Sequence, residues 1–333
     1  MAGAPDAEPD DPVLADLIEL GGAGIAVIEL GPGVRWSDPG PGVVCAGVDR
    51  HGAPTITAPE AFDILLTSAP DAAAPWVRVD DLDGAVARLQ DAVRRQPVAA
   101  TVAAQVLRAT LHLSFKDALA LESLAYSMLL ASGGFRSWRA ETPARRRPED
   151  DAPRVLIEDV GRTLRVRLNR PARRNAFDAA MRDALAEALA FALEHPDAPS
   201  VVLSGDGPAF SAGGDLDEFG QAADVGRAHL IRALRSPAAL VHRLGDRITA
   251  RLHGACVGAG IEVPAAAARV TAAPGSFFRL PEVSMGLIPG AGGTASIPRR
   301  VGRHRAAWMA ISGADVDLAT ALAWGLVDAE ETP

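Results

Sequence analysis

The second half of the chain begins with alternating apolar residues and continues with an apolar residue at every fourth position. Residues 155–157 and 164–168 flank Gly161, and the second run alternates in polarity, which predicts two strands joined by a turn. From Phe177 to Leu193 apolar residues recur at steps of four, which predicts a helix with one apolar face. A β-hairpin followed by a helix is therefore expected at the start of this half.

Residue types predict the ends of that helix. Asn175 is expected to be its N-cap, with Asp178 assisting in the first turn, and the pair His195-Pro196 predicts its end. Three further elements are expected in this half: a short buried strand at 201–203, a glycine-rich segment leading into a helix at 257–263, and a helix at 303–311.

The first half of the chain combines two strand-like runs with three helical patterns. The expected elements are strands at 25–30 and 43–45 and helices at 82–95, 98–112 and 115–132. The third helix carries an apolar face made of Leu119, Leu121, Leu124, Met128 and Leu129. We expect this face to be buried, either against the rest of the chain or against a neighbouring subunit.

Two segments without apolar patterns divide the chain. Residues 1–12 are acidic and lack large apolar side chains, so a disordered tail is expected. Residues 143–153 contain three arginines followed by acids, with prolines at both ends, which is typical of an exposed linker. The division leaves an N-terminal region at 13–142 and a C-terminal region at 154–333.

Composition narrows the class of protein. Of the 333 residues, 48% are hydrophobic and 23% charged, and the net charge of −9 argues against a general nucleic-acid binder. No apolar run is long enough to predict a membrane span. Cys45 and Cys256 do not form a zinc-binding spacing or a disulfide framework, so no metal and a reducing, cytoplasmic compartment are expected.

Two glycine-rich segments and two glutamates are the candidates for chemistry. Residues 207–216 and 253–262 have neither the Walker A nor the GxGxxG spacing. Such segments are either tight turns or places where backbone amides meet a ligand, and two amides aimed at one point form an oxyanion hole. Glu262 and Glu282 stand in apolar surroundings, where a carboxyl group has a raised pKa and can act as acid or base near neutral pH.

Five segments taken together resemble the crotonase, or enoyl-CoA hydratase/isomerase, superfamily. They are LNRPARRNAF (168–177), AFSAGGDL (209–216), GACVGAGIE (254–262), LPEVSMGLIPGAGGT (280–294) and AISGADVDLATALAWGLVD (310–328), in the family's order and spacing. The resemblance implies an α/β fold, the crotonase spiral of repeated ββα units, with additional helices from the N-terminal region.

The resemblance also implies an active site. The amides of Gly214 and Ala259 would hold the oxygen of a thioester carbonyl, Glu262 would orient and deprotonate water, and Glu282 would deliver a proton to C2. Having both glutamates is the pattern of hydratases, whereas isomerases usually keep only the second. Ala212 would lie against the adenine of coenzyme A.

Coenzyme A is expected to be part of the substrate, with no separate cofactor. Further expected contacts to it are Gly213, Asp215 and a basic group of Arg170, Arg173 and Arg174, which could instead be a solvated turn. Departures from the family pattern include Ala259 at a common glycine position and Arg279 beside the site. A triad of Ser211, His253 and Asp215 is a weak alternative, because nothing in the sequence predicts that the three meet.

The N-terminal region resembles a shortened second copy. Residues 17–32 and 42–47 are similar to 156–171 and 200–205, and segments at 76–89, 96–110 and 118–148 resemble the family's C-terminal helices. We expect these helices to cover the acyl-CoA site. The expected protein is a homo-oligomeric enoyl-CoA hydratase, a trimer or hexamer. An isomerase, a thioester hydrolase or a non-catalytic acyl-CoA-binding or assembly subunit remain alternatives.

Overall fold

A computed structural model describes residues 24–31, 40, 42–52, 56, 58–145, 152–195, 197 and 199–331. Two sequence predictions lie wholly or mostly outside these residues. They are the disordered tail at 1–12 and the linker at 143–153.

The N-terminal region begins with a parallel four-stranded sheet. Its strands are β1 (Ile25–Leu30), β2 (Val44–Asp49), β3 (Ile64–Thr67) and β4 (Val77–Arg78), and they lie side by side in that order. All three neighbouring pairs are parallel. The prediction of β1 is confirmed, and β2 continues past the predicted end at residue 45 because its whole length is buried.

Four helices follow this sheet: α1 (Leu82–Arg95), α2 (Pro97–Thr110), α3 (Phe115–Leu130) and α4 (Gly133–Glu141). Side chains of Asp81, Ser114 and Ser132 accept amide hydrogen bonds at the N-termini of α1, α3 and α4. Proline at the first position of α2 needs no amide donor there. The three predicted helices are confirmed within two residues, and α4 is an addition.

The C-terminal region contains a six-stranded sheet. The chain supplies β5 (Val155–Val160), β6 (Thr163–Leu168), β7 (Ser200–Gly205), β8 (Ile248–Leu252), β9 (Ala255–Val257), β10 (Arg269–Ala272), β11 (Phe277–Arg279), β12 (Val316–Asp317) and β13 (Ala329–Glu330). The large sheet has the order β13-β10-β8-β7-β6-β5, and a small sheet has the order β12-β11-β9. The predicted hairpin around Gly161 is confirmed as the antiparallel pair β5 and β6.

The helices of this region are α5 (Ala179–Glu194), α6 (Val225–Leu234), α7 (Pro237–Leu244), α8 (Ala259–Glu262), α9 (Gly293–Val301), α10 (Arg303–Ser312) and α11 (Leu318–Trp324). Helix α8 has only one turn, because Pro264 opens a short 3-10 helix immediately after it. The predicted helix at 303–311 is confirmed as α10.

The prediction that Asn175 caps α5 is wrong, and Asp178 does so by accepting from the amide of Met181 at 2.7 Å. Asn175 is fully buried at φ +52, where its side-chain amide donates to the carbonyl oxygens of Asp206, Ala209 and Phe210. Its role is therefore to fasten the turn after β6 to the segment that enters the glycine-rich loop.

The two regions share one hydrophobic core. The same cluster of buried side chains includes Leu66 and Leu89 of the N-terminal region and Leu185 and Met309 of the C-terminal region. Helices α2 and α3 pack on α9, and α3 also packs on α6. Thr110 Oγ1 donates to the carbonyl oxygen of Thr294 at 2.8 Å, which joins the regions by a buried hydrogen bond.

Among the described residues, no single helix has both the length and the apolar composition to cross a membrane. By those two criteria alone, α3 and α4 would pass as a pair, and they are bent by 64° to each other.

Candidate active site

A cavity of about 330 Å³ lies where helix α3 meets the C-terminal region. The four residues expected to be catalytic all line it: Gly214, Ala259, Glu262 and Glu282. Side chains of α3 complete one wall, including Tyr126 and the buried Glu122. The structure therefore brings the sequence-predicted catalytic residues together at one place, under a helix of the N-terminal region.

The two expected oxyanion amides face this cavity from separate segments. Gly214 pairs with Phe177 in an isolated parallel bridge, whose hydrogen bonds are made by the amides of Phe177 and Asp215. Ala259 is the first residue of α8, where a helix leaves its amides without intrahelical acceptors. Neither the Gly214 nor the Ala259 N–H has an acceptor among the described residues, so both can bind a ligand oxygen.

Gly258, just before α8, lets the backbone approach the two glutamates. Its φ is +50°, a conformation that favours glycine. A Cβ at this position would lie 2.4 Å from Glu282 Oε1 and 3.7 Å from Glu262 Oε1. Oxygen atoms of both carboxyl groups therefore lie close to Gly258, the residue that precedes the Ala259 amide.

Glu262 and Glu282 differ in their partners. Glu262 is 2% exposed, and its Oε2 accepts from the amides of Ala291 at 2.7 Å and Gly293 at 2.9 Å. Burial raises the pKa of Glu262 to about 7, and the two amide donors oppose that rise. Glu282 Oε2 is buried without a hydrogen-bond partner among the described residues. Burial, followed by the charge of Glu262, raises the pKa of Glu282 well above its usual value.

A third buried carboxyl group, that of Glu122 on α3, was missed by the sequence analysis. Its Oε1 accepts from the amide of Gly292 at 2.7 Å, and its Oε2 accepts from the amide and hydroxyl of Thr294 at 2.8 and 2.7 Å. The amides of residues 291–294 therefore donate alternately to Glu262 and Glu122. Burial and the charge of Glu262 raise the pKa of Glu122 to about 8, while its donors favour the carboxylate.

At a pH above about 8, where Glu122 is a carboxylate, replacing it by glutamine should destabilise the protein by about 1–3 kcal/mol, because an amide group turns at least one donor toward Gly292 or Thr294 and leaves a buried N–H unpaired. Urea unfolding monitored by circular dichroism measures the change. Glu141→Gln, at an exposed position on the next helix, is the matched control and should match the wild type. Equal stability of all three proteins would contradict this role of Glu122.

A second cavity of about 340 Å³ lies on the other side of Gly214, which lines both cavities. Ala212, Arg173 and Arg174 line it, together with Arg145 from the end of the N-terminal region. Neither Arg173 nor Arg174 forms an ion pair with another described residue. Their guanidinium groups are available to an anionic ligand in this cavity. Gly213, at φ +92°, packs against the carbonyl of Val257, where a Cβ would lie only 2.8 Å away.

Arg170 is placed differently from the expectation of a coenzyme A contact. It is buried and lines neither cavity. Its guanidinium forms ion pairs with Asp215 at 2.7 Å and with Asp178 at 3.2 Å. These two ion pairs join the loop after Gly214 to the N-terminus of α5, so the guanidinium of Arg170 orients this loop. Asp215 itself lines the second cavity, with its carboxylate paired to Arg170.

The alternative triad is not assembled. Ser211 Oγ donates to the carbonyl of Asn175, His253 Nε2 meets the carbonyl of Gly207, and Asp215 pairs with Arg170. In the described part of the chain, no group of three or more histidine, cysteine, aspartate or glutamate residues is arranged to hold a metal ion.

The expectation for the apolar face of α3 is met only in part. Leu129 is fully buried, whereas Leu124 and Met128 are 56% and 54% exposed. More than half of each of these two side chains is therefore open to solvent, and neither belongs to the hydrophobic core that the two regions share.

The fold and the site define a class of protein. The sequence model of the enoyl-CoA hydratase/isomerase family matches residues 161–330, just over half of the chain. The chain therefore belongs to this family, the crotonases, and has the crotonase fold.

Several curated relatives are similar to the same part of the chain. Mevalonyl-coenzyme A hydratase of Beauveria bassiana is 35% identical over 184 residues, which are 53% of this chain and 63% of that protein. Cyclohexa-1,5-dienecarbonyl-CoA hydratase of Thauera aromatica is 36% identical over 180 residues, 53% of this chain and 66% of that protein. 2,3-Dehydroadipyl-CoA hydratase of Escherichia coli is 34% identical over 174 residues, 52% of this chain and 67% of that protein. The chain thus spans about two thirds or less of these relatives.

Solved structures of the same family are similar to this chain in fold. The enoyl-CoA hydratase of Thermoplasma volcanium superposes with a TM-score of 0.50 at 32% identity, covering 55% of this chain and 73% of that one. An enoyl-CoA hydratase of Bacillus anthracis superposes with a TM-score of 0.50 at 27% identity, covering 54% and 70%.

Proposed function

We propose that the protein hydrates 2-enoyl-CoA thioesters. The observation that carries the proposal is the pair of buried glutamates beside two unpaired backbone amides. In this reaction the thioester oxygen gains negative charge, which the amides of Gly214 and Ala259 would stabilise. Water is deprotonated and added at C3, and a proton is added at C2, so the reaction needs one base and one acid.

The environments of the two glutamates suit these separate roles. Two amide donors stabilise the carboxylate of Glu262, so Glu262 is assigned as the base that orients and deprotonates water. Glu282 has a buried oxygen without a hydrogen-bond partner among the described residues, and burial and the charge of Glu262 raise its pKa, so it is assigned as the acid that protonates C2. Two carboxyl groups that are held in different environments can divide the acid and base roles between them.

The relatives support the same reaction type, since the three curated relatives described above are all named as CoA hydratases. Their acyl groups differ widely, so the shared feature is hydration of a CoA thioester. In this proposal coenzyme A extends from Gly214 into the second cavity, where Arg173 and Arg174 would meet its phosphates and Ala212 its adenine. The acyl group extends into the first cavity.

The direct test follows the absorbance of the conjugated enoyl thioester during incubation with a panel of 2-enoyl-CoA substrates. Loss of that absorbance with formation of a 3-hydroxyacyl-CoA supports hydration. A 3-enoyl-CoA product would identify an isomerase instead, and free coenzyme A would identify a hydrolase. Binding without any turnover would identify a non-catalytic subunit and contradict the proposal.

The pH dependence of kcat/KM should be bell-shaped. Activity should rise through about pH 7 as Glu262 loses its proton and becomes a base. It should fall at higher pH as Glu282 loses the proton that it delivers, since the pKa of Glu282 is raised by burial and by the charge of Glu262. Initial rates at subsaturating substrate from pH 5 to pH 10 measure the rising and the falling part of the kcat/KM profile. A kcat/KM that keeps rising across this range would contradict the assignment of Glu282 as the acid.

We further propose that the protein is a homo-oligomer, a trimer or hexamer. Leu124 and Met128 on α3 are exposed, as are Leu230 and Leu234 on the adjacent helix α6. Adjacent helices that both expose large apolar side chains are commonly covered by a subunit contact. Light scattering at micromolar concentration should give a multiple of the chain mass, and a monomer would contradict this proposal.

A further inference from the structure

We propose that the acyl cavity takes a thioester whose acyl chain ends in a carboxylate, and that Arg232 of helix α6 binds this carboxylate. The inference rests on the proposed function, which places the thioester carbonyl between the amides of Gly214 and Ala259. It adds a substrate class to that function, because the cavity wall beyond Glu262 and Glu282 carries a half-buried arginine that forms no ion pair with any described residue.

The direction of the acyl chain follows from the two cavities. Gly214 lines both of them, and the cavity with Arg173 and Arg174 lies on one side of it. With coenzyme A on that side, the acyl chain enters the cavity that contains Glu262 and Glu282. The remaining walls of this cavity are formed by α3, by the start of α5 and by the segment from α6 to α7, which includes Arg232.

Neutral groups hold the guanidinium of Arg232 in place. Its Nε donates to Ser123 Oγ at 3.1 Å, and its Nη2 donates to the Ser123 carbonyl at 3.4 Å and to Ser127 Oγ. The guanidinium carbon stands 4.9 Å from the centre of the Tyr126 ring. These contacts fix the orientation of the group but leave its charge uncompensated, and Nη1 has no hydrogen-bond partner among the described residues.

The guanidinium of Arg232 is partly desolvated, and the charged groups around it do not form an ion pair with it. Arg232 is half-buried, and burial lowers its pKa, as does the nearby positive charge of Arg182, which lines the same cavity. Tyr126 and Glu122 oppose this lowering of the pKa, but the oxygens of Glu122 accept from Gly292 and Thr294 and form no ion pair with Arg232. In the described part of the chain no carboxylate lies within ion-pair distance of Arg232. A partly desolvated cation is normally paired, so a carboxylate delivered by the ligand fits this position.

Two neighbouring arginines differ from Arg232 because they form ion pairs within the protein. Arg235, also on this wall, forms an ion pair with Asp183 at 3.1 Å, and Arg182 pairs with the same carboxylate at 2.7 Å. The positive charges of Arg235 and Arg182 are therefore compensated by an internal carboxylate. A charge-assisted hydrogen bond from a fixed guanidinium to a carboxylate is stronger and more specific than a bond to a neutral oxygen. Lys116 also lines this cavity but is exposed to solvent, so the partly buried Arg232 is the specificity-determining residue of this proposal.

The test compares two series of 2-enoyl-CoA substrates of matched chain length, one with a carboxylate and one with a methyl group at the far end. Values of kcat/KM are measured for the wild type, Arg232→Gln and the control Arg227→Gln, which alters an exposed arginine of the same helix. The wild type should prefer the carboxylate by at least about tenfold at its best chain length. Arg232→Gln should lose this preference with little change for the methyl-ended substrate, and Arg227→Gln should keep it.

Calorimetric binding of the corresponding saturated acyl-CoA pairs separates this inference from the proposed reaction. If no enoyl-CoA is hydrated but the saturated dicarboxylic thioester binds at least about tenfold more tightly, and Arg232→Gln abolishes the difference, then hydration is wrong and the substrate class stands. If Arg232→Gln lowers kcat/KM equally for both series, Arg232 only fastens α6 to α3 and the inference is overturned. A wild type that prefers the methyl-ended substrate at every length overturns it as well.

Discussion

Replacing either Glu262 or Glu282 by glutamine should lower kcat by at least about 10²-fold, because each substitution removes a group that transfers a proton in the reaction. Glutamine retains the shape of the side chain. At position 262 its carbonyl oxygen can still accept from the amides of Ala291 and Gly293, so the surrounding loop should keep its conformation. Stopped-flow absorbance of the enoyl thioester measures kcat.

Binding of an unreactive saturated acyl-CoA should change little in both variants, which separates lost chemistry from lost binding. Glu194→Gln, at the exposed end of α5, is the matched control and should retain full activity. Turnover close to that of the wild type in both active-site variants would remove the basis for hydration by this pair.

Replacing Ala259 by proline should lower kcat by about 10²–10³-fold, because it deletes one of the two amide donors to the thioester oxygen. Residue 259 is the first of its helix and its N–H has no acceptor within the described chain, so proline suits the position. The same change at Gly214 is a less specific test, since a Cβ there would lie 2.4 Å from the ring of Phe219. Single-turnover rates measure the effect.

Ala259→Gly is the control for this experiment, because glycine keeps the amide and removes only a methyl group. It should retain most of the activity. Near-ultraviolet circular dichroism establishes whether the proline variant keeps its tertiary structure. A folded Ala259→Pro protein with wild-type turnover would show that the Ala259 amide does not bind the thioester oxygen.

The candidate catalytic residues could be predicted from the sequence because acidic residues in apolar segments stand out locally. Glu262 and Glu282 are acids in apolar surroundings next to glycine-rich or proline-containing segments, and the structure brings them together. Glu122 leaves the same kind of trace, as the acid within the apolar run ALALESLAY of helix α3. It was missed because its partners, Gly292 and Thr294, are far away in the sequence and carry no sign of the contact.

Other errors came from tertiary contacts that override local preference. Asn175 is a good capping residue by type, but it is occupied by three carbonyl groups of a distant loop, and Asp178 caps instead. The basic character of Arg170 suggested a contact to a phosphate of coenzyme A. In the fold, its guanidinium is instead buried and paired with the carboxylates of Asp178 and Asp215. Such pairings depend on how separate segments meet, which composition and periodicity do not determine.

The shortened second copy stays a prediction. The family match begins at residue 161 and does not reach the N-terminal region. The parallel sheet β1-β2-β3-β4 and its following helices are compatible with the idea, since β6 and β7 are likewise adjacent and parallel. The strands β3 and β4 had no prediction of their own, as the first is short and the second has only two residues.

The hydrogen bonds of Glu122 also bear on how the chain folds. They join residues that are 170 and 172 positions apart, and the nearby bond from Thr110 to Thr294 spans 184 positions. Contacts of such long range raise the contact order and slow folding. During synthesis the helix that carries Glu122 is made first, and its acceptor atoms have no donors until residues 292–294 leave the ribosome. The loop with residues 291–294 is therefore completed among the last events of folding, and a chain stalled before that point leaves the Glu122 carboxyl group without its native hydrogen-bond donors.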